Sequence, residues 1–417
     1  MNRSLTSASL LLMVSMTVVN AGNYVYNLIL GRWLGPALFA DLSLIVTLLL
    51  VVTFITVPLQ MTTARYTAIY TADGDFAALA GVHLWTERVG IGFGLLLVVV
   101  FALGSQLWQS FFNTASAIPF IIFGVALPFS LLQGVERGIL QGQTRFGILA
   151  VTYQVEMWTR FLIGIGLVML GFSIVGAVLG ISLSFVATWL TAKLAVRGLP
   201  IAVFPDKEMQ VTLSLFALPV LVSQLGQILI NNSDVLLVRR FFPAELAGQY
   251  AALALIGRIV FFATWSVVTT MFPIVAQKNK KGEPHVYLLW VSLGIVAVIS
   301  APVVLATLSF PDWIVSILFG KQYLGVAGLL WLYALATSLY ALANVIVNYR
   351  LSLGAGKSTG LVIAAGLAQV LGILLFHGTL AQVVWVQVIV MAVLFILLLG
   401  YYFFNEYKSR LVLMQAV

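Results

Sequence analysis

Twelve apolar runs divide the chain, over about 5–31, 37–69, 83–105, 115–139, 145–171, 173–197, 210–239, 245–275, 285–308, 324–352, 358–376 and 380–404. Each is close to or above the roughly 20 residues that a helix needs to cross about 30 Å of hydrocarbon, where backbone groups must be satisfied within the helix itself. The pattern predicts an all-α polytopic membrane protein of about twelve transmembrane helices.

The polar positions inside these runs fall on single helical faces. Helix one carries Asn20, Asn23 and Asn27 at i, i+3, i+7, and helix seven carries Gln224, Gln227, Asn231 and Asp234 at i, i+3, i+7, i+10. Helix two adds Thr53, Thr56, Gln60 and Thr63, and helix ten adds Tyr340, Asn344 and Asn348. Amide stripes facing lipid are unfavourable, so they predict either interhelical hydrogen bonds, worth about 1 kcal/mol each, or a shared polar cavity. Four stripes, two of them in equivalent places, favour the cavity.

The halves resemble each other at an offset of about 208 residues. Arg32-Trp33-Leu34-Gly35-Pro36 and Arg240-Phe241-Phe242-Pro243 form similar basic, aromatic corners, Trp108 with Phe111-Phe112 parallels Trp313 with Leu318-Phe319, and Pro58 and Pro273 sit in the second helix of each half. Two six-helix bundles are expected, over residues 1–208 and 209–417, pseudo-symmetric around a central cavity. An even number of helices per repeat gives both the same orientation, related by an axis along the membrane normal.

Composition and charge sharpen this picture. The chain is 62% hydrophobic and 8% charged, far outside the range of a water-soluble globule. With the N-terminus placed in the cytoplasm, 15 of the 21 lysines and arginines fall inside, and Arg32, Arg239, Arg240 and Lys321 fall outside. The positive-inside rule selects this threading, with both termini cytoplasmic. The net charge of +8 is spread over short loops with no aromatic-interleaved basic domain, which argues against a nucleic-acid partner. Cysteine is absent, and His83, His285 and His377 lie on separate loops or helix ends, so no metal site is expected. A cleaved signal peptide ending near Gly22 is the weaker reading of the N-terminus, because the apolar run continues to Leu30.

Charges within the spans carry the most chemistry, since each costs roughly 2.5–3.5 kcal/mol at a bilayer centre. Glu156 and Arg160 stand at i, i+4 and read as a self-neutralising pair. Arg258 lies midway along helix eight without a local partner, because helical rise leaves Asp234 about 10 Å above it. Glu156 and Asp234 are candidate ion-coupling acids. Arg137 and Arg350 close helices four and ten, as anchors or as a cytoplasmic gate. Gly354-Ala355-Gly356-Lys357-Ser358-Thr359 imitates a nucleotide-binding loop, but Leu351 replaces its first glycine, so it reads as a tight turn.

Several ordered motifs carry a family resemblance: Gly31-Arg32-Trp33-Leu34-Gly35-Pro36, Ala64-Arg65-Tyr66, Arg137-Gly138-Ile139-Leu140-Gln141-Gly142, Asn232-Ser233-Asp234, Gly248-Gln249-Tyr250, Gly257-Arg258 and Leu318-Phe319-Gly320-Lys321-Gln322-Tyr323. Over nearly its whole length the chain resembles the polysaccharide-transporter branch of the multidrug, oligosaccharidyl-lipid and polysaccharide exporter superfamily. The resemblance implies a flippase, not an enzyme, moving undecaprenyl-diphosphate-linked oligosaccharide across a bacterial or archaeal cytoplasmic membrane by alternating access. It implies no cofactor. Membrane lipids and a polysaccharide polymerase or export complex are the implied partners. Arg160 and Arg258 would hold the diphosphate, with Asn20, Asn23, Asn27, Gln60, Gln224, Gln227, Asn231, Asn344 and Asn348 reading sugar hydroxyls. A cation-coupled multidrug antiporter is the main rival. A membrane polymerase or ligase fits less well, since the outward loops hold no catalytic constellation.

Overall fold

The computed structural model describes residues 3–200, 203–354 and 358–415. The turn expected at Ala355-Gly356-Lys357 lies outside the described residues, as do the side chains of Arg3, Pro273, Lys408 and Arg410. The described chain is helical, without a strand among the described residues. Nine of its helices are long and apolar enough to cross a membrane, and Thr359–Leu375 adds a shorter apolar one. Two of the nine merge a pair of spans across a glycine, so each of the twelve apolar runs is helical over most of its length. This is a multi-pass membrane protein.

The chain divides into two compact units, residues 1–224 and 225–417. In the first, α1 (Arg3–Asp73) holds two spans in one trace. They join at Gly35, whose φ of 75° and ψ of 169° suit only glycine, and Pro36 follows with no N–H to continue the ladder. The next helix, α2 (Phe76–Val98), begins seven residues before the span expected over 83–105, because the Asp75 carboxylate accepts from the Ala78 N–H at 2.9 Å and caps it. His83 is therefore inside a helix, not on a loop. The short α3 (Ser105–Phe112) follows a π-helical turn and ends at Asn113 in the left-handed region.

The most enclosed helix of this unit is α4 (Ile118–Gly142). Gly134, Gly138 and Gly142 recur every fourth residue and let it lie directly against Thr56, Thr63 and Thr67 of α1, where any Cβ would clash. After it, α5 (Phe146–Leu167) and α6 (Ser173–Ala195) join through Gly171, at φ 90°. They touch where a Cβ on Gly180 would come within 2.4 Å of the Gly164 Cα.

The unit boundary lies within α7 (Lys207–Phe241). Helix eight is broken: α8 (Ala244–Gly257) and α9 (Ile259–Lys281) meet at Arg258. Then come α10 (Val286–Ser309), the short α11 (Pro311–Leu318), a 3₁₀ segment from Lys321 to Leu329, α12 (Leu330–Ser352), α13 (Ser358–Leu375) and α14 (Leu380–Gln415). The core of this unit forms around α12, where Val345 and Ile346 pack with Val275, Leu289, Val296 and Leu398.

Candidate functional site

Unit one brings three charged side chains of α4 and α5 together. The Glu156 carboxylate sits between two guanidinium groups, 2.8 Å from Arg137 Nη1 and 2.8 Å from Arg160 Nη2. The expected Glu156–Arg160 pair is thus one edge of a triad. Arg137 stands more than a turn inside α4, is 5% exposed, and is not the end-of-helix anchor its position suggests. Its Nε donates to Thr152 Oγ1 at 3.1 Å and its Nη2 to the Thr152 carbonyl at 3.0 Å, while its Cζ lies 3.9 Å from the Tyr153 ring centre.

Two guanidinium groups against one carboxylate leave the triad with one excess positive charge. Arg160 is the less fully hydrogen-bonded of the two guanidinium groups. Its Nη1 donates to Asn23 Oδ1 of α1 at 3.2 Å, and its buried Nε has no partner among the described residues.

The amide stripes behave differently from simple interhelical bonding. Asn27 Nδ2 donates to the Asn23 carbonyl at 2.8 Å, Asn231 Nδ2 to the Gln227 carbonyl at 2.8 Å, and Asn348 Nδ2 to the Asn344 carbonyl at 2.9 Å. Each bonds one turn back along its own helix. Gln60 does reach across, to Gln141 Oε1 at 3.2 Å and the Tyr153 hydroxyl at 3.4 Å. Asn20 is exposed, whereas Asn344 is buried.

In unit two the separation expected between Asp234 and Arg258 does not hold: Arg258 Nη2 lies 3.1 Å from Asp234 Oδ1. The guanidinium reaches back from the break between α8 and α9 to α7. Asp234 is completely buried, and its Oδ2 accepts from the Tyr250 hydroxyl at 3.0 Å and the Tyr333 hydroxyl at 2.8 Å. Gln387 of α14 donates to Tyr250 in turn. Arg258 thus has a full counter-ion, and the pair is neutral. Arg350, the other gate candidate, stacks on Tyr401 with Cζ 4.3 Å from the ring centre.

A further cluster escaped the sequence reading. His83 and Glu87 of α2, Glu136 of α4 and Lys193 of α6 converge, with Lys193 bridging both carboxylates. The ligand atoms of His83, Glu87 and Glu136 lie within 4.8 Å of one another, close enough to share a cation. The available signal was the i, i+4 spacing of His83 and Glu87, together with a second carboxylate, Glu136, inside an apolar run.

These buried ionic groups sit in a helical fold with known relatives. The family model described as polysaccharide biosynthesis protein matches residues 5–279, well over half of the chain. The chain belongs to this family. No curated protein matches it significantly. Among solved structures, an inward-facing multidrug resistance MATE family transporter of the MOP superfamily is similar with a TM-score of 0.80 at 16% identity, over 92% of this chain and 95% of that one. The lipid II flippase MurJ, in an inward closed conformation, is similar with a TM-score of 0.74 at 13% identity, over 95% of this chain and 87% of that one. A MOP superfamily transporter from Pyrococcus furiosus gives 0.61 at 18% identity, over 95% of each chain. This member of the polysaccharide biosynthesis family therefore has the fold of MOP superfamily transporters.

Proposed function

We propose that the protein is a flippase that carries diphosphate-linked oligosaccharide lipid from the cytoplasmic to the outer leaflet of a bacterial or archaeal cytoplasmic membrane by alternating access, with both termini cytoplasmic. The observation that carries this reading is the Arg137–Glu156–Arg160 triad. Its excess positive charge is shielded from water, and a guanidinium donor on Arg160 is left without an acceptor. Phosphate oxygens supply that acceptor and that charge. Asn23 beside Arg160, with Asn20, Asn27 and Gln60, offers amides for the sugar next to the diphosphate. Unit two carries amides of its own at Gln227, Asn231, Asn344 and Asn348. Arg258 contributes less, since Asp234 already neutralises it.

The family match supports a role in polysaccharide biosynthesis, and the similarity to a lipid II flippase supports a lipid-linked substrate. In this reading the protein is not an enzyme, residues 1–208 and 209–417 are the repeats, Arg350 belongs to the cytoplasmic gate, and a polymerase or export complex receives the product. A drug–cation antiporter shares the fold, but an excess of buried positive charge suits it poorly. Purified protein in liposomes distinguishes the two. Movement of a fluorescent diphosphate-linked saccharide lipid, without uptake of a cationic dye, is expected. Dye uptake with a stationary saccharide lipid overturns the proposal.

A further inference from the structure

Beside the triad, on the same helices of unit one, stands a second polar group that carries no charge. Gln60 Nε2 of α1 donates to Gln141 Oε1 of α4 at 3.2 Å and to the Tyr153 hydroxyl of α5 at 3.4 Å. Tyr153 joins this group to the triad, since the Arg137 guanidinium lies 3.9 Å from its ring centre. Gln141 is exposed, and Gln60 and Tyr153 are half-buried, so a ligand can reach all three. Their mutual bonds leave the Gln60 carbonyl oxygen as an acceptor, with the Gln141 amide N–H groups and the Tyr153 hydroxyl proton as donors. Neutral donors and acceptors side by side match sugar hydroxyls, which both donate and accept. A diphosphate offers acceptors only and is matched by guanidinium.

Packing does not require the bridge. Gly134, Gly138 and Gly142 already bring α4 against α1, and a Cβ on Gly138 would lie 2.7 Å from the Gln60 carbonyl oxygen. The order of the groups along the helices also fits a lipid-linked saccharide. Gln141 stands one turn beyond Arg137, at the cytoplasmic end of α4, and Tyr153 stands seven residues before Arg160, about 10 Å nearer the cytoplasmic start of α5 by helical rise. Such a lipid in the cytoplasmic leaflet points its tail at the midplane and its sugars at the cytoplasm, with the diphosphate between them. With the diphosphate against Arg160, its first sugars lie on the side of Gln60, Gln141 and Tyr153.

We infer that Gln60, Gln141 and Tyr153 form a saccharide subsite that reads the sugars next to the diphosphate while the triad holds the diphosphate itself. This inference rests on the flippase reading. It is tested in proteoliposomes by the ratio of initial flipping rates for two fluorescent lipids at equal, sub-saturating amounts: a polyprenyl diphosphate carrying one hexose and the same lipid diphosphate without it. Wild type, Tyr153→Phe and Gln141→Ala are compared. Tyr153→Phe keeps the ring that faces Arg137 and removes only the hydroxyl, and Gln141 is exposed, so both variants should fold. A several-fold preference of wild type for the hexose lipid is expected, falling toward equal rates in both variants. A loss of stability alone would slow both lipids together and leave the ratio in place. Equal rates in wild type, or an undiminished preference in either folded variant, overturn the subsite and leave the flippase reading standing. Absence of flipping of both lipids by folded wild type overturns the flippase reading and this inference with it.

Discussion

Glu156 lies between Arg137 and Arg160, so removing the acid and removing one base have opposite consequences. Glu156→Gln strands two shielded guanidinium groups and should destabilise the protein by about 3–5 kcal/mol, as breaking a buried pair does. Fluorescence-detected size-exclusion during heating should show an early collapse. Arg160→Ala leaves a neutral Arg137–Glu156 pair, so the variant should fold normally and lose flipping. Asp234→Asn should destabilise to a similar extent by leaving Arg258 uncompensated, and Asp234→Asn with Arg258→Gln should recover part of the loss; a double-mutant cycle on thermal unfolding checks this. The Glu156–Arg160 contact was legible because both residues sit on one helix at i, i+4 spacing. Arg137 and the Asp234–Arg258 pair were not, because those contacts depend on how α4 meets α5 and where helix eight breaks. Local spacing carries no such information.

At the scale of elements, small residues decide which helices approach. Gly138 stands where a Cβ would lie 2.7 Å from the Gln60 carbonyl oxygen and 2.6 Å from Thr63 Cβ, and backbone cannot yield cheaply. Gly138→Leu should separate α1 from α4 and lower the yield of folded protein, whereas Gly147→Leu, with open space around it, should leave the yield unchanged. Counting monodisperse protein after detergent extraction measures both. The apolar runs were legible as helices because length and hydropathy suffice to define a span. The eight-residue α3 and α11 were not, being too short to form a run, although the parallel of Trp108 with Trp313 marked their places. In α3 the Trp108 ring stacks on Phe101 and Phe112, with centroids 5.3 and 5.8 Å away. The early start of α2 at Phe76 is fixed by the Asp75 cap, and the residues from Phe76 to Val82 are themselves apolar.

For the whole molecule, the bias of basic residues and the natural absence of cysteine make orientation directly measurable. A single cysteine replacing the exposed Ser110 of α3 should react with a membrane-impermeant maleimide in intact cells, and one replacing the exposed Asn279 of α9 only after permeabilisation. The reverse pattern would invert the proposed direction of transport. Recognition of the diphosphate by a buried excess of guanidinium charge is the central claim. Its most direct test is the flipping rate of a diphosphate-linked saccharide lipid compared with an uncharged analogue of the same sugar and tail, in wild type and Arg160→Ala. The account predicts a strong preference for the diphosphate in wild type that collapses in Arg160→Ala, with Arg160→Lys recovering only part of it. Equal rates for the two lipids in wild type, or an undiminished preference in Arg160→Ala, would contradict it.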